Sequence, residues 1–255
     1  MRGLYLAEGA MLVQQARLSL IGNNLANLNT VGYKRDDVAQ TSFGEWMLYQ
    51  RGGGATPGVS RTLPAALGSA AHNVAVQETV TNFAPGPLQY TGRNLDLALS
   101  GDCYFQVQKE DGFLYTRNGR FFIDDAGFLV TAEGYPVWGV DGPLLLGTEQ
   151  VEIDPDGTVY TGDIVQGRLR LVYFTPEAEP LKAGDNYFRV REAAVSADGG
   201  EGRVWASFVE GSNTDLVREM TSMIQVRRSY EAAQKVMITY DSLLQKAAND
   251  LGSLY

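Results

Sequence analysis

Three patterns in the 255-residue sequence predict an α+β fold, with N- and C-terminal helices paired as a coiled coil and an antiparallel β sandwich or barrel-like domain inserted between them. The first is a heptad near the C-terminus. Alternate steps of three and four from Met223 land on Val226, Tyr230, Ala233, Met237, Tyr240, Leu244, Ala247, Leu251 and Leu254, all apolar. This is the a/d period that makes helices wrap around each other. The second is the same period at the other end: Leu4, Ala7, Met11, Gln14, Leu18, Ile21, Leu25 and Leu28. Only Gln14 is polar, and one polar seam residue can fix register. The third is a run of short β patterns between Asn82 and Phe208, separated by turn dipeptides.

Residues 1–35 read as the first helix and its exit. Off the seam, Leu6, Ala10, Val13 and Leu20 make a second apolar stripe interrupted by Arg17. Asn23, Asn24, Asn27 and Asn29 then crowd together ahead of Gly32. Asn favours turns over helix interiors. The simpler reading is a helix C-cap with Gly32 at or beyond it; the other is an elbow whose polar side chains tie neighbouring subunits.

Residues 36–81 read as an extended connector, punctuated by Gly52-Gly53-Gly54, Pro57-Gly58 and Gly68. A surface loop is the plain expectation. Residues 82–209 read as the β body. Asp111-Gly112, Asn118-Gly119, Ala126-Gly127, Asp141-Gly142, Asp156-Gly157 and Asp198-Gly199 mark turns. Runs such as Tyr104–Val107, Arg120–Ile123, Phe128–Val130, Val151–Ile153, Arg168–Phe174 and Tyr187–Val190 mark strands. Short strands at this spacing indicate a sandwich or barrel-like module.

Residues 210–255 read as the second helix. Ser212 and Asp215 fit a capping box, and no Pro follows Pro180. At about 1.5 Å per residue the helix would be roughly 60 Å long, outrunning the first by about 15–20 Å. Leu251, Leu254 and Tyr255 would overhang. Met220, Ile224, Val236, Ile238 and Leu243 lie outside the seam. A two-helix hairpin covers one stripe on each helix, so the remainder implies other chains nearby.

The net charge of −9 is uneven. Residues 1–35 carry +3 and residues 213–255 are balanced, which leaves −12 in the middle. So acidic a body argues against nucleic acid, whose phosphates need a Lys/Arg surface. The single Cys, Cys103, excludes an internal disulfide, and the single His, His72, excludes a multi-His metal site. Asp154-Pro155-Asp156-Gly157 and Asp124-Asp125 lack the spacing of a calcium loop and read as hairpin turns. No G-x-S-x-G elbow accompanies His72. No catalytic, cofactor or metal residues are expected. No run approaches a membrane span, and Glu8, Gln14, Gln15 and Arg17 interrupt any Sec-type apolar core. Arg227-Arg228 lie off the seam and read as a solvated or salt-bridged face, with bonding to a neighbour's carboxylates as the minor reading.

Three segments carry a resemblance. LSLIGNNLANLNTVGYKR (Leu18–Arg35) resembles the N-terminal signature of the bacterial flagellar rod and hook (axial protein) family, and EGSNTDLVREMTSMIQVRRSYEAAQKVM (Glu210–Met237) its C-terminal signature. GPLQYTGRNLDLALSGDCYFQV (Gly86–Val107) and YTRNGRFFIDDAGFLVTAEGYPV (Tyr115–Val137) are similar to rod proteins of FlgF and FlgG type. Departures are Gly22, where Ala is common, and Cys103, where Gly or Trp is commoner.

The resemblance implies a structural subunit of the basal-body rod, exported through the flagellar type III apparatus without a cleaved signal. It would lie in the cell envelope and periplasmic space and bind copies of itself and other axial proteins. A connector running along the axis to touch adjacent subunits is also implied. The proximal rod is preferred over the distal rod or a hook or junction component. A wall-carbohydrate-binding β module on a helical oligomerisation stem is a more distant alternative, as is a membrane-surface protein, although Lys/Arg is not enriched on the polar helix faces. The expected assembly interface comprises Leu4, Met11, Leu18, Ile21, Asn23, Asn24, Leu25, Asn27, Leu28, Asn29 and Gly32 at one end. At the other it comprises Leu216, Met220, Met223, Val226, Tyr230, Ala233, Met237, Tyr240, Leu244, Leu251 and Leu254.

Overall fold

The computed structural model describes residues 2–42, 46–49, 66–70, 74–109, 112–148, 150–175, 178, 180–190, 195–196 and 202–252. They form two units, one of residues 1–25, 36–82 and 216–255, the other of residues 26–35 and 83–215. His72, the Gly52–Gly54 and Pro57-Gly58 punctuation, Asp111, Asp198-Gly199, Leu254 and Tyr255 lie outside the described residues.

The first unit contains both helices, α1 (Arg2–Ala26) and α2 (Leu216–Gly252). Their 25 and 37 residues span about 37 and 55 Å. No Pro interrupts either, and Glu219 in the first turn of α2 suits the positive end of the helix dipole. Ser212 does not cap α2 as expected. The helix begins at Leu216, and the Ser212 hydroxyl accepts the Thr214 N–H at 3.2 Å. A short Ser turn has displaced the capping box, because a hydroxyl bonds readily to an amide two residues on.

Residues 36–81, read as an extended connector, hold where described two two-stranded antiparallel pairs in this same unit. Asp36–Ser42 pairs with Val74–Thr81, and Trp46–Tyr49 with Ala66–Ala70. Val and Thr in the first pair and Trp46 and Tyr49 in the second favour strands, and Ala66–Ala70 pairs despite Gly68 within it. The first pair starts at a firm anchor. Asn24, 1% exposed, donates to the Asp36 carbonyl at 2.9 Å and accepts the Asp36 N–H at 3.1 Å. The Thr81 hydroxyl donates to the Asp36 carboxylate at 2.7 Å.

The second unit is built on a six-stranded antiparallel sheet. Its order is Leu181–Gly184, Tyr187–Arg189, Gly112–Thr116, Cys103–Lys109, Leu171–Phe174, Val195–Ser196. Strand Cys103–Lys109 explains the arrangement. Phe105 and Val107 point into the main core with Leu97, Phe121, Leu129 and Val137. Tyr104 points the other way, into a smaller aromatic cluster with Tyr115, Val172 and Phe188. Alternate residues therefore serve opposite faces, and both are apolar.

Smaller antiparallel pairs complete the unit: Phe122–Ile123 with Leu129–Val130, Arg203–Ala206 with Leu97–Ser100, and Phe208–Glu210 with Leu88–Tyr90. The expected run Arg168–Phe174 divides in two. Ile164–Arg168 joins a three-stranded sheet and Leu171–Phe174 the six-stranded one. Between them the Leu169 N–H donates to Gly157 O and the Arg170 N–H to Trp138 O, so the backbone changes partners there. Ala126-Gly127 and Asp156-Gly157 are the turns expected, both glycines at φ +86°.

Candidate functional site

Seam residues lie on the inner side of α2 over half its length. Val226 is buried, and Met223, Tyr230, Ala233 and Met237 are half-buried. Every other residue from Ile224 to Thr239 is exposed. From Ile238 to Asp250 all are exposed, Tyr240 and Leu244 among them. Leu216 and Met220 are exposed as well; nothing is described of the Leu251 side chain. On α1, Ala7 and Ile21 are buried, and Leu4, Met11, Gln14, Leu18 and Leu25 half-buried. Gly3 lies so close to the Tyr240 ring that a Cβ there would overlap it. The start of α1 therefore sits beside Tyr240.

The Asn-rich segment behaves differently from the helix before it. α1 ends at Ala26, six residues short of Gly32. Asn27 takes the Thr30 hydroxyl on its side chain and the Thr30 N–H on its carbonyl, forming a turn. Leu28 is half-buried; Asn23 and Asn29 are exposed. Gly32 is buried at φ +69°, and its N–H donates to the Glu210 carbonyl at 2.7 Å. It thus lies beyond the helix end, one of the two positions expected for it. It is the point where the N-terminal signature touches the C-terminal one.

A buried ionic joint follows immediately. Glu210 ends strand Phe208–Glu210, and its side chain is 1% exposed. One carboxylate oxygen accepts Lys34 Nζ at 2.6 Å and the Gly86 N–H at 2.8 Å. The other accepts Arg117 Nη1 at 3.2 Å. Lys34 also donates to Ala84 O at 2.9 Å. Arg117 reaches the carbonyls of Leu99 and Gly101 and lies 4.8 Å from the Tyr104 ring centroid. Two cations thus share one carboxylate, and the second positive charge is met by carbonyl oxygens and an aromatic face.

Backbone bonds reinforce the joint. Lys182 donates to Lys34 O at 2.6 Å and stands over the Tyr33 ring. Asn186 donates to Val31 O at 3.2 Å. Asn213 accepts the Arg35 N–H at 2.8 Å and donates to Ala84 O at 3.0 Å. None of Glu210, Arg117, Lys182, Asn186 or Asn213 was among the expected interface residues. The available signal was Glu210 itself, a charge closing an otherwise apolar strand pattern. The arrangement fastens chain segments together. Its groups are charge pairs and amide bonds, with no nucleophile set against a base.

Titration of the joint runs in two directions. Burial pulls Lys34 below its ordinary 10.5, partly offset by Glu210. Folding then binds fewer protons at Lys34 than the unfolded chain does, so stability grows as pH rises toward 10.5. Burial pushes Tyr104 up to about 12 from 10.0, against the pull of Arg117, and pushes Tyr187 up as well. These phenols stay protonated in the fold after the unfolded chain has ionised, so stability falls from about pH 10 upward. A two-unit shift at Tyr104 alone amounts to about 2–3 kcal/mol. Denaturant melts should show stability falling steeply between pH 10 and pH 12; a midpoint unchanged across that range would contradict the burial of Tyr104.

Family models match three stretches: "Flagella basal body rod protein" over residues 4–34, "Flagellar hook protein FlgE/F/G D1 domain" over 98–161, and "Flagellar basal body rod FlgEFG protein C-terminal" over 206–251. Lys34 and Glu210, the two ends of the joint, fall in the first and third. The chain is 34% identical to the flagellar basal-body rod protein FlgG of Bacillus subtilis, covering 98% of each. It is 32% identical to FlgF of Caulobacter vibrioides, again covering 98% of each. The flagellar hook-basal body complex protein FlhO of Bacillus subtilis is 31% identical over the full length of both. Matches that run nearly end to end lead to one conclusion: the chain belongs to the flagellar basal-body rod protein family of FlgG and FlgF.

Proposed function

We propose that the chain is an axial structural subunit of the rod, self-assembling through its terminal helices into the driveshaft that transmits torque from motor to hook. α1 and α2 pair as a coiled coil along the Leu4 and Met223 seams, and copies of the chain, with rod and hook relatives, cover what the pair leaves exposed. The observation that carries this is the behaviour of α2 beyond Met237. Its apolar period continues through Tyr240, Leu244 and Ala247 while every residue there is exposed. An unbroken seam without an inner partner calls for one from another chain. The Asn-rich segment and Gly32 serve assembly indirectly, by tying residues 27–35 to the C-terminal signature at Glu210.

Export through the flagellar type III apparatus into the envelope accords with this reading, with neighbouring chains covering the exposed stem after export. Relatives named FlgG and FlgF match almost equally well, so the proposal is for the rod as a whole, and the preference for its proximal part passes to direct localisation of tagged subunits in isolated basal bodies.

Two substitutions test the helical stem. Ile21→Asp places a carboxylate at a buried seam position, and Leu244→Asp places one on the exposed continuation. Both should abolish incorporation into basal bodies. Ile21→Asp should lower helicity in the free chain while near-UV circular dichroism of the β body stays unchanged; Leu244→Asp should change neither. Normal rods in either strain would defeat the proposal.

A further inference from the structure

The β unit holds a cleft of about 530 Å³ lined by Gln108, Lys109, Glu133, Gly134, Tyr135 and Pro136, none of them part of the ionic joint. That is room for a small molecule. Two runs of backbone frame it. Val107 pairs with Val137, and the Gln108 N–H donates to Pro136 O at 3.0 Å, which sets Lys109 across from Tyr135. The turn that carries Glu133 is closed three times. The Gly134 N–H donates to Thr131 O at 3.0 Å, the Tyr135 N–H to the Thr131 hydroxyl at 3.3 Å, and the Thr131 N–H to Tyr135 O at 3.0 Å.

The charges in this cleft do not answer each other. Lys109 Nζ stands 5.4 Å from the centroid of the Tyr135 ring, and the Glu133 carboxylate accepts the Tyr187 hydroxyl. Among the described residues the two form no ion pair with one another. Tyr187 is 3% exposed, and its ring packs edge-on to Tyr135 with centroids 5.6 Å apart. A buried phenol that reaches an exposed carboxylate fixes where that carboxylate stands. Thr131 already closes the turn, so the bond from Tyr187 is not needed for closure; it aims the charge. The Tyr135 ring touches both the ammonium and the phenol that holds the carboxylate. A ligand reaching from one charge to the other therefore passes along that ring.

We propose that this cleft binds a dipeptide-sized zwitterion, with its ammonium on Glu133, its carboxylate on Lys109 and the Gln108 amide, and its side chains against Tyr135 and Pro136. Complementary charge selects this class. A neutral saccharide would cover both charges and answer neither, and the end of a long chain brings only one charge. Tyr187 is a positioning residue, acting through Glu133. The inference goes beyond the stem reading and needs no second copy of the chain.

The test is titration of the full-length chain with alanyl-alanine, read by saturation-transfer NMR on the peptide methyl groups, which serves single chains and assemblies alike. Binding should saturate in the millimolar range, as suits so small a ligand in an open cleft. N-acetyl-alanyl-alanine and alanyl-alanine amide each lack one charge and should bind about tenfold more weakly or worse. The trimer of N-acetylglucosamine should give no saturable signal. Glu133→Gln and Lys109→Met should each weaken alanyl-alanine about tenfold. Their effects on the half-charged peptides should cross: Glu133→Gln should weaken only the amide, and Lys109→Met only the acetylated form. Tyr187→Phe frees the carboxylate without removing it, and should shrink the preference for alanyl-alanine over its acetylated form by about threefold or more. A role in stability alone would leave that ratio unmoved. No saturable alanyl-alanine signal, equal binding of all three peptides, effects that fail to cross, or a sugar that binds as well as alanyl-alanine overturns the proposal. None of these outcomes alters incorporation into basal bodies, by which the stem reading is judged.

Discussion

Glu210→Ala should destabilise the β unit by about 3–5 kcal/mol, the cost of breaking a buried ion pair and stranding its partners. Lys34 and Arg117, with side chains 1% and 2% exposed, would then face each other without a counter-charge. The Gly86 N–H would lose its acceptor too. Most of the effect is thus desolvation of groups left behind rather than attraction forgone. That distinction can be measured. Glu210→Met combined with Lys34→Met and Arg117→Met removes all the charges together, and should recover most of the loss, since apolar replacement of a whole buried cluster is often neutral or better. Urea melts with an unchanged m-value would report the difference directly. A single Glu210→Ala variant within about 1 kcal/mol of the parent would show that water reaches the joint and that its charges are not truly buried.

The helices were legible in the sequence because a heptad is a local pattern. Counting from Met223 picks out Val226, Tyr230, Ala233 and Met237, the very residues α2 turns inward. The count continues equally well through Tyr240 and Leu244, which are exposed, because periodicity records what a helix can bury and not where its neighbour begins. Gly3 beside Tyr240 supplies that missing fact. Turn glycines such as Gly127 and Gly157 were legible for a similar reason, their left-handed φ being a local demand. Strand boundaries were less so. The change of backbone partners at Leu169 depends on Gly157 and Trp138, and nothing within Arg168–Phe174 announces it. The joint was hardest to see. Lys34, Arg117 and Glu210 are far apart in the chain; Lys34 and Arg117 each have the character of an ordinary surface charge, and only the place of Glu210 at the end of an apolar strand hints otherwise. Only the fold shows that all three are buried. The Asn-rich run ahead of Gly32 does mark the helix terminus, at Ala26, but the sequence does not show that Gly32, lying beyond it, answers to a close approach between distant segments.

That approach makes Gly32→Val the second large expected loss, comparable with Glu210→Ala. A Cβ at position 32 would stand 2.5 Å from Arg117 C and from Asn118 N, backbone atoms that cannot rotate away. The left-handed φ adds about 1–2 kcal/mol for a residue with a side chain, and more for a β-branched one. The chain can relieve the clash only by lifting residues 31–35, and that movement withdraws Lys34 from Glu210 and breaks the Gly32 N–H bond to the Glu210 carbonyl. Strain and lost pairing are therefore the same event seen from two residues. It follows that Gly32→Val and Glu210→Ala should combine less than additively, because once either has undone the joint the other has little left to remove. A double variant whose loss equals the sum of the singles to within about 0.5 kcal/mol would mean that the two signatures fold independently. A markedly smaller loss would mean that N-terminal segment, β body and C-terminal strand stand or fall as one piece.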